Sequence, residues 1–380
     1  MSENNENAAT TLSAKEIDQG LDIRSLTPGQ LGKKLLSFQL DEQKMAKASE
    51  EAKSVVEHMR PSTTFFRDGM YNLMRNPLAV FSIVVLILII LMVIIAPMIV
   101  PYKYDEVIKI NGSRDSGLSN LGPLQYSEKE KAEIAKGVKV FPHLFGTDDV
   151  GRDYFIRVVY GTRVSLTVGI FAALIVLIIG MIYGSISGYL GGRVDMVMMR
   201  IVDIIYSLPD LLLVIILQIA LEGTLKKAIQ GTALQKVGVN MISLFIVFAV
   251  LYWVGMARLV RGQVLGIKSN EYVLAAKALG AKPGRIIRKH ILPNCMSVIF
   301  ISTALQIPSA IFTESFLSFI GLGVQAPMPS LGSLANNARN GLQSYPYKLI
   351  FPALFICLIV LSFNLLGDGL RDAFDPKLRK

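Results

Sequence analysis

Several residue types that build catalytic and metal sites are scarce in this 380-residue sequence. It contains two cysteines, three histidines and one tryptophan, and the histidines (His58, His143 and His290) are far apart along the chain. The pattern G-x-x-x-x-G-K-[ST], with which P-loop proteins hold nucleotide phosphates, does not occur. We therefore expect that the chain is not an enzyme and that it holds no catalytic residue, no metal and no cofactor of its own.

Charge is also scarce, and its distribution predicts a membrane protein. Charged residues make up 18% of the chain, whereas about 25% is usual in a soluble domain. No charged residue occurs from Leu78 to Val100, and as a helix this run spans roughly 34 Å, enough to cross a ~30 Å hydrocarbon core. Residues 1–60 are polar and carry no secretory signal, so we expect this first span to remain as an uncleaved anchor.

Further apolar stretches predict an all-α fold with six transmembrane helices. The later spans cover about residues 164–190, 201–221, 240–260, 295–316 and 349–367. The second span is rich in glycine, alanine and serine, which permit close helix–helix contact in lipid. The chain is therefore predicted to be a polytopic membrane protein.

The positive net charge of +10 is explained by membrane topology. Cytoplasmic loops carry an excess of lysine and arginine. The 261–294 segment carries seven of them and one acid, Glu271, whereas 317–348 carries only Arg339 and Lys348. We therefore place both termini in the cytoplasm and expect no nucleic-acid partner.

This topology divides the chain into regions with different expected roles. They are a polar cytoplasmic tail (1–60), an N-terminal region with the first span (61–100), an extracytoplasmic insertion (101–163), a five-helix core (164–370) and a second cytoplasmic tail (371–380). Within the insertion, Ser127 is followed three residues later by Glu130, which predicts a capping box and a short helix.

A pair of short cytoplasmic helices is predicted at residues 269–294. Ser269 or Asn270 is a suitable N-cap, and Glu271 in the first turn suits the positive end of the helix dipole. Gly280 supplies a left-handed residue where this first helix should end.

The second helix of the pair is predicted to begin at Pro283, because proline loses nothing at the first helical position. Pro293 is expected to end it at the membrane. A loop that only connects two spans is one alternative, but such a connection needs about 2–8 residues and this loop is longer. A DNA-reading helix-turn-helix is the other alternative, but both of its ends are tied to membrane spans.

The stretch EYVLAAKALGA, followed by II and HILPN, resembles the EAA loop of ATP-binding cassette (ABC) importer permeases. It is similar to the form found in the dipeptide, oligopeptide and nickel transporter family. The stretches FGTDDVGRDYFIRVVYGTRVSLTVG, TESFLSFIGLGVQAPMPSLGSL and FNLLGDGLRDAFDPKLR are similar to other parts of that family. FFRDGMYNLMRNPLAVFS resembles the N-terminal region of its C-type subunit.

The resemblance implies a permease of a bacterial cell membrane that moves substrate by alternating access, in a binding-protein-dependent importer for oligopeptides or dipeptides. It implies several partners: a second permease subunit forming a heterodimer, two ATP-binding subunits that hold ATP and magnesium, an external substrate-binding protein, membrane lipid and the peptide substrate. By the same match, the residues that couple the permease to the ATPases are Glu271, Tyr272, Ala275, Ala276, Gly280 and Pro293.

Three further residues are candidates for the gate or the transport pathway. Glu314 is a charged residue near the outer end of the fifth span, which is a functional-site hypothesis by default. We expect it to have a structural role in an outer gate, with direct substrate contact as the alternative. Tyr206 and Asp210 either face the pathway or cap and solvate a helix end.

Three alternatives for the function are considered. The same importer class carries nickel or other small solutes, and the sequence does not separate these cargoes from peptides. An ion-coupled secondary transporter would need paired acids in mid-membrane and an inverted repeat, and neither is evident. A membrane-anchored interaction protein built on residues 101–163 would leave the capped helix pair unexplained.

Overall fold

The computed structural model describes residues 65–374, except Asn111 and residues 325–327. The predicted tail at 1–60 and residues 375–380 of the second tail lie outside the described residues.

Most of the described residues are helical and very few are in strands, which confirms the predicted all-α fold. In chain order the helices are α1 (Phe65–Arg75), α2 (Pro77–Ile99), α3 (Glu128–Ala135), α4 (Tyr154–Leu190), α5 (Gly192–Tyr206), α6 (Asp210–Ala228), α7 (Val239–Ile267), α8 (Glu271–Ala278), α9 (Pro283–Phe319), α10 (Leu331–Ala338) and α11 (Tyr347–Phe374). Two strands of two residues each, β1 (Lys109–Ile110) and β2 (Ser113–Arg114), form an antiparallel pair. Short 3-10 turns lie at Ser116–Leu118, Ala233–Lys236 and Arg339–Gly341.

Five of the described helices are long and apolar enough to cross a membrane: α2, α4, α7, α9 and α11. The single helix predicted at 201–221 is wrong, because α5 and α6 meet there at 86°. The break falls at Ser207–Pro209, where proline has no N–H to donate and disfavours helical geometry in the residue before it. The bent pair counts as a sixth span only when both helices are taken together.

The start of α4 also differs from the prediction. Asp153 accepts a hydrogen bond from the backbone N–H of Ile156 at 3.0 Å and caps the helix. The helix therefore begins at Tyr154, ten residues before the expected span at 164, and residues 154–163 belong to α4 instead of the insertion.

The packing of α4 against α7 relies on three glycines one turn apart. A Cβ atom placed at Gly184 would lie 2.4 Å from the carbonyl oxygen of Ala257, and Cβ atoms at Gly180 and Gly188 would lie 2.6 and 2.9 Å from side chains of the same helix. Small residues at this spacing let two backbones approach in lipid. The close contact predicted for the second span is confirmed.

The insertion is joined to α4 by a buried histidine. His143 Nδ1 lies 2.9 Å from Asp153, the cap of α4, and its Nε2 lies 3.1 Å from Glu130 in α3. Glu130 and Ser127 form the predicted capping box through reciprocal hydrogen bonds. The ring of Tyr102 stacks on the imidazole at 5.1 Å between centroids. One buried cluster therefore ties the extracytoplasmic residues to the first core helix.

Candidate coupling surface and gate

The short helix α8 has the C-terminal cap that its sequence predicts. Gly280 has a φ of +78°, a left-handed conformation that glycine adopts without steric cost. Its N–H donates to the carbonyl of Lys277 at 3.0 Å, and the N–H of Ala281 donates to that of Ala276 at 3.1 Å. These two bonds form a Schellman motif and satisfy carbonyls left free at the helix end. At the other end Asn270 adopts the N-cap backbone conformation without a side-chain cap bond.

The two faces of α8 have different environments. Val273 and Ala276 are buried in a cluster that includes Val176 of α4, Val264 of α7 and Ile299 of α9. Ala276 is therefore a packing residue of this helix and is not available to a docking partner. The exposed residues of α8 are Glu271, Tyr272, Leu274, Ala275, Lys277 and Ala278, and Leu279 directly after the helix is also exposed.

The prediction that Pro293 ends the second helix is wrong. The helix α9 runs from Pro283 to Phe319 without a break and contains a π turn at Ile287–Ile291. In that turn the N–H of Leu292 donates to the carbonyl of Ile287, five residues back. A proline inside a helix lacks one N–H and crowds the preceding turn, and a wider turn accommodates both effects.

An ion pair fixes the ends of α4, α5 and α7 beside α8. Arg261 of α7 donates two hydrogen bonds to Asp195 of α5, at 2.5 and 2.6 Å. Ser187 of α4 donates to the same carboxylate at 2.5 Å. Lys268 then donates to the carbonyl of Gly188 at 3.0 Å. Polar contacts as well as apolar packing therefore hold together the helix ends against which α8 packs.

Glu314 is fully buried in α9 and is surrounded by serines. Ser165 of α4 and Ser318 each donate to its carboxylate at 2.7 Å, and Ser315 does so at 3.3 Å. The hydroxyl of Ser318 also accepts the backbone N–H of Val324 at 3.0 Å. The carboxylate thus links α4 and α9 to the chain that follows α9.

Tyr206 and Asp210 lie together at the break between α5 and α6, apart from Glu314. Both line a groove of about 400 Å³ that is also formed by Leu213 and Leu251. The guanidinium of Arg258 lies 4.1 Å from the centroid of the Tyr206 ring, within the range of a cation–π contact. In the part of the chain that the structure describes, no group of three or more metal-binding side chains could hold a metal ion.

Comparison with known proteins identifies the family. Residues 180–380 match the family described as "binding-protein-dependent transport system inner membrane component". The chain belongs to this family of permeases. Residues 64–123 also match the N-terminal transmembrane domain of oligopeptide transport permease C. This permease is therefore a multi-pass inner-membrane protein of the ABC transporter class.

Curated relatives cover most of this permease. It is 41% identical to the oligopeptide transport system permease protein OppC of Bacillus subtilis, over 84% of this chain and 92% of that protein. It is 43% identical to the dipeptide transport system permease protein DppC of the same organism, over 84% of this chain and 88% of that protein. It is 38% identical to OppC of Escherichia coli K12, over 83% of this chain and 92% of that protein. Among solved structures, the inward-facing MetNI methionine ABC transporter matches 58% of this chain and 96% of that one, with a TM-score of 0.43 and 18% identity.

Sequence reasoning about this permease missed Leu279 and Ser165. Leu279 is 88% exposed, and a large apolar residue directly before a helix-ending glycine was the available signal. Ser165 is 149 positions from Glu314, so no local pattern could have joined the two.

Proposed function

We propose that this permease is one of two different membrane subunits of an ATP-driven importer that takes up oligopeptides or dipeptides. The named functions of relatives 41% and 43% identical over 84% of the chain support this cargo. An external binding protein delivers the peptide, and two ATPase subunits on the cytoplasmic side drive transport. Both termini of the permease lie in the cytoplasm.

The observation that carries the coupling role is the exposed apolar face of α8. Tyr272, Leu274 and Leu279 are 42%, 52% and 88% exposed, although α8 lies outside the predicted spans. Exposed apolar groups beside polar ones are typical of protein interaction sites. The exposed residues dock on an ATPase subunit, and Glu271 and Ala275 lie at the same surface.

Movement of the ATPases reaches the spans through the buried face of α8. Val273 and Ala276 contact residues of α4, α7 and α9 in one packed cluster. Packed interiors transmit displacement because they contain few voids. A shift of α8 therefore moves these helices together, and ATP shifts the population between inward-open and outward-open states.

Glu314 serves as a structural element of the outer gate. Its carboxylate accepts hydrogen bonds from two helices and is closed off from solvent. It holds the chain after α9 against α4 and does not contact the peptide. Tyr206 and Asp210 line the pathway at the break between α5 and α6.

The test is ATP hydrolysis by the assembled complex in nanodiscs, with the companion permease, both ATPases and the binding protein. We expect peptide-loaded binding protein to stimulate hydrolysis in the wild type and not in Leu279→Asp. Leu234→Asp, at an exposed leucine in the 3-10 turn between α6 and α7, is the matched control and should behave as wild type.

Equal stimulation in Leu279→Asp and Leu234→Asp would refute the coupling role of α8. Stimulation by binding protein loaded with nickel and not by any peptide-loaded form would refute the peptide cargo and leave the importer class in place.

A further inference from the structure

A polar pocket lies where the loops before α3 and α4 meet α10 and the first turn of α11. It encloses about 250 Å³. Asp149, Asn337 and Asn340 are exposed at its rim. Its buried lining residues are Asp148, Tyr154, Arg157, Leu334, Ala338 and Lys348. In the proposed topology this end of the spans faces the outside of the cell, so a role for the pocket in docking there rests on the proposed function.

The guanidinium of Arg157 has unused hydrogen-bonding capacity in this pocket. Arg157 is 4% exposed. Its Nη1 donates to the carbonyl of Tyr104 at 3.3 Å and lies 3.5 Å from Asp148. Its Nε has no hydrogen-bond partner among the described residues. Buried donors are nearly always paired, and an unpaired one calls for an explanation.

The buried charges around the pocket do not balance. Asp148 already forms a hydrogen-bonded ion pair with Arg152 at 2.7 Å. Lys348 contacts the side-chain oxygen of Asn120 and the ring of Tyr345. Within the described residues it has no ion pair with an acid. Arg157 and Lys348 are therefore two buried cations that share, at most, part of one carboxylate.

This imbalance favours an anionic ligand, and the geometry favours a carboxylate. Arginine binds carboxylates through two N–H groups of its planar fork, and buried charges are stable only when paired. Asp149 opposes an anion only weakly, because it is exposed at the rim and screened by solvent.

We infer that this pocket receives one aspartate or glutamate side chain of the substrate-binding protein. Its volume of about 250 Å³ lies below the ~300–1,000 Å³ of pockets that hold drug-sized ligands, so it accommodates a single side chain and not a peptide of several residues. The rim asparagines Asn337 and Asn340 remain available for neutral hydrogen bonds to the docked surface. An acidic residue in the pocket would fix the orientation of the binding protein over the spans.

The inference is tested by measuring the affinity of the binding protein for the complete complex in nanodiscs. Asn337→Asp places a negative charge at the exposed rim. It should weaken binding about tenfold, because like charges at an interface repel. The neighbouring Asn336→Asp adds the same charge on α10 outside the pocket and should change affinity less than about twofold. Arg157→Gln should weaken binding roughly 30-fold or more, and Lys348→Gln gives a second reading if Arg157→Gln does not fold.

A double-mutant cycle identifies the partner residue. Acidic residues on the binding protein are neutralised one at a time. Neutralising one of these acids should weaken binding to the wild-type complex. The same change should not weaken binding to the Arg157→Gln complex any further. Equal affinities of Asn337→Asp and Asn336→Asp, or no acid that couples to Arg157, would overturn the inference.

The transported peptide is the other source of a carboxylate. If the Arg157→Gln effect disappears when the bound peptide carries a C-terminal amide, the pocket binds the peptide and the inference is wrong. The proposed function is tested separately from these affinities, by measuring whether peptide-loaded binding protein stimulates ATP hydrolysis in the wild-type complex.

Discussion

Raising the pH should loosen the attachment of the extracytoplasmic residues to α4, because His143 loses its charge. Burial lowers the pKa of His143, but its hydrogen bonds to Asp153 and Glu130 outweigh this effect and raise the pKa to about 9. A neutral imidazole keeps only one N–H. After deprotonation, one of the two buried carboxylates therefore faces a lone pair instead of a donor.

The size of the effect follows from the pKa shift. The pKa rises from 6.5 in the unfolded chain to about 9 in the folded protein, which corresponds to roughly 3 kcal/mol at ~1.4 kcal/mol per unit. Because the folded pKa is the higher one, this stabilisation is complete below pH 6.5 and is lost as the pH rises through about 9. Between about pH 7 and pH 9.5 the loss is roughly 2 kcal/mol. Burial raises the pKa of Tyr102 above its usual value, so that stacked ring does not titrate in this window.

Hydrogen exchange of the amides in α3 measures this loss in nanodiscs, after correction for the chemical exchange rate at each pH. Protection in the wild type should fall roughly 30-fold between about pH 7 and pH 9.5. His143→Gln should be less protected at neutral pH and lose this pH dependence. His290→Gln is the matched control and should keep it. Wild-type protection that is constant across the window, or an unchanged slope in His143→Gln, would refute the reasoning.

Three further predictions concern a helix contact, a buried hydrogen bond and a helix cap. Gly184→Ala should lower the melting temperature of the purified protein because its Cβ would lie 2.4 Å from the Ala257 carbonyl oxygen, whereas Gly255→Ala has open space around it and should be neutral or stabilising by up to ~1 kcal/mol. An equal effect of both would contradict the packing of α4 on α7. Ser165→Ala should destabilise by about 1.5–3 kcal/mol through loss of a hydrogen bond to the buried Glu314, while Thr167→Ala, whose hydroxyl bonds within its own helix, should change the melting temperature little. Gly280→Ala should weaken amide protection in α8 by about 1 kcal/mol through its positive φ, and Gly284→Ala, a helical and exposed position, should not.

The spans and the cap of α8 could be predicted because each depends on neighbouring residues. An uncharged run such as that of α2 is sufficient to indicate a membrane helix. Gly280 and Pro283 have backbone preferences that fix the end of one helix and the start of the next. The structure places both residues in those roles.

The break at Pro209 was missed because average hydropathy does not distinguish a straight span from a bent one. The proline was the local signal, and it was outweighed by the apolar residues on either side. The start of α4 was missed because its first turns lie beside other protein segments, so they need not be apolar. Asp153 was the available capping signal there.

The contacts of His143 and the burial of Ala276 could not be predicted from local sequence. His143 meets Tyr102, 41 positions earlier in the chain, only through the folding of the insertion. Ala275 and Ala276 are identical in chemistry, and only the packing of α8 on the spans determines which of them is buried.

The most direct test of the proposed function is uptake of a labelled peptide into proteoliposomes that hold this permease, its companion and both ATPases. Binding protein is added outside and ATP is sealed within. We expect uptake that requires both additions and that excess unlabelled peptide abolishes. Stimulated ATP hydrolysis without uptake of any peptide, in a complex shown to be assembled, would contradict the peptide-importer assignment.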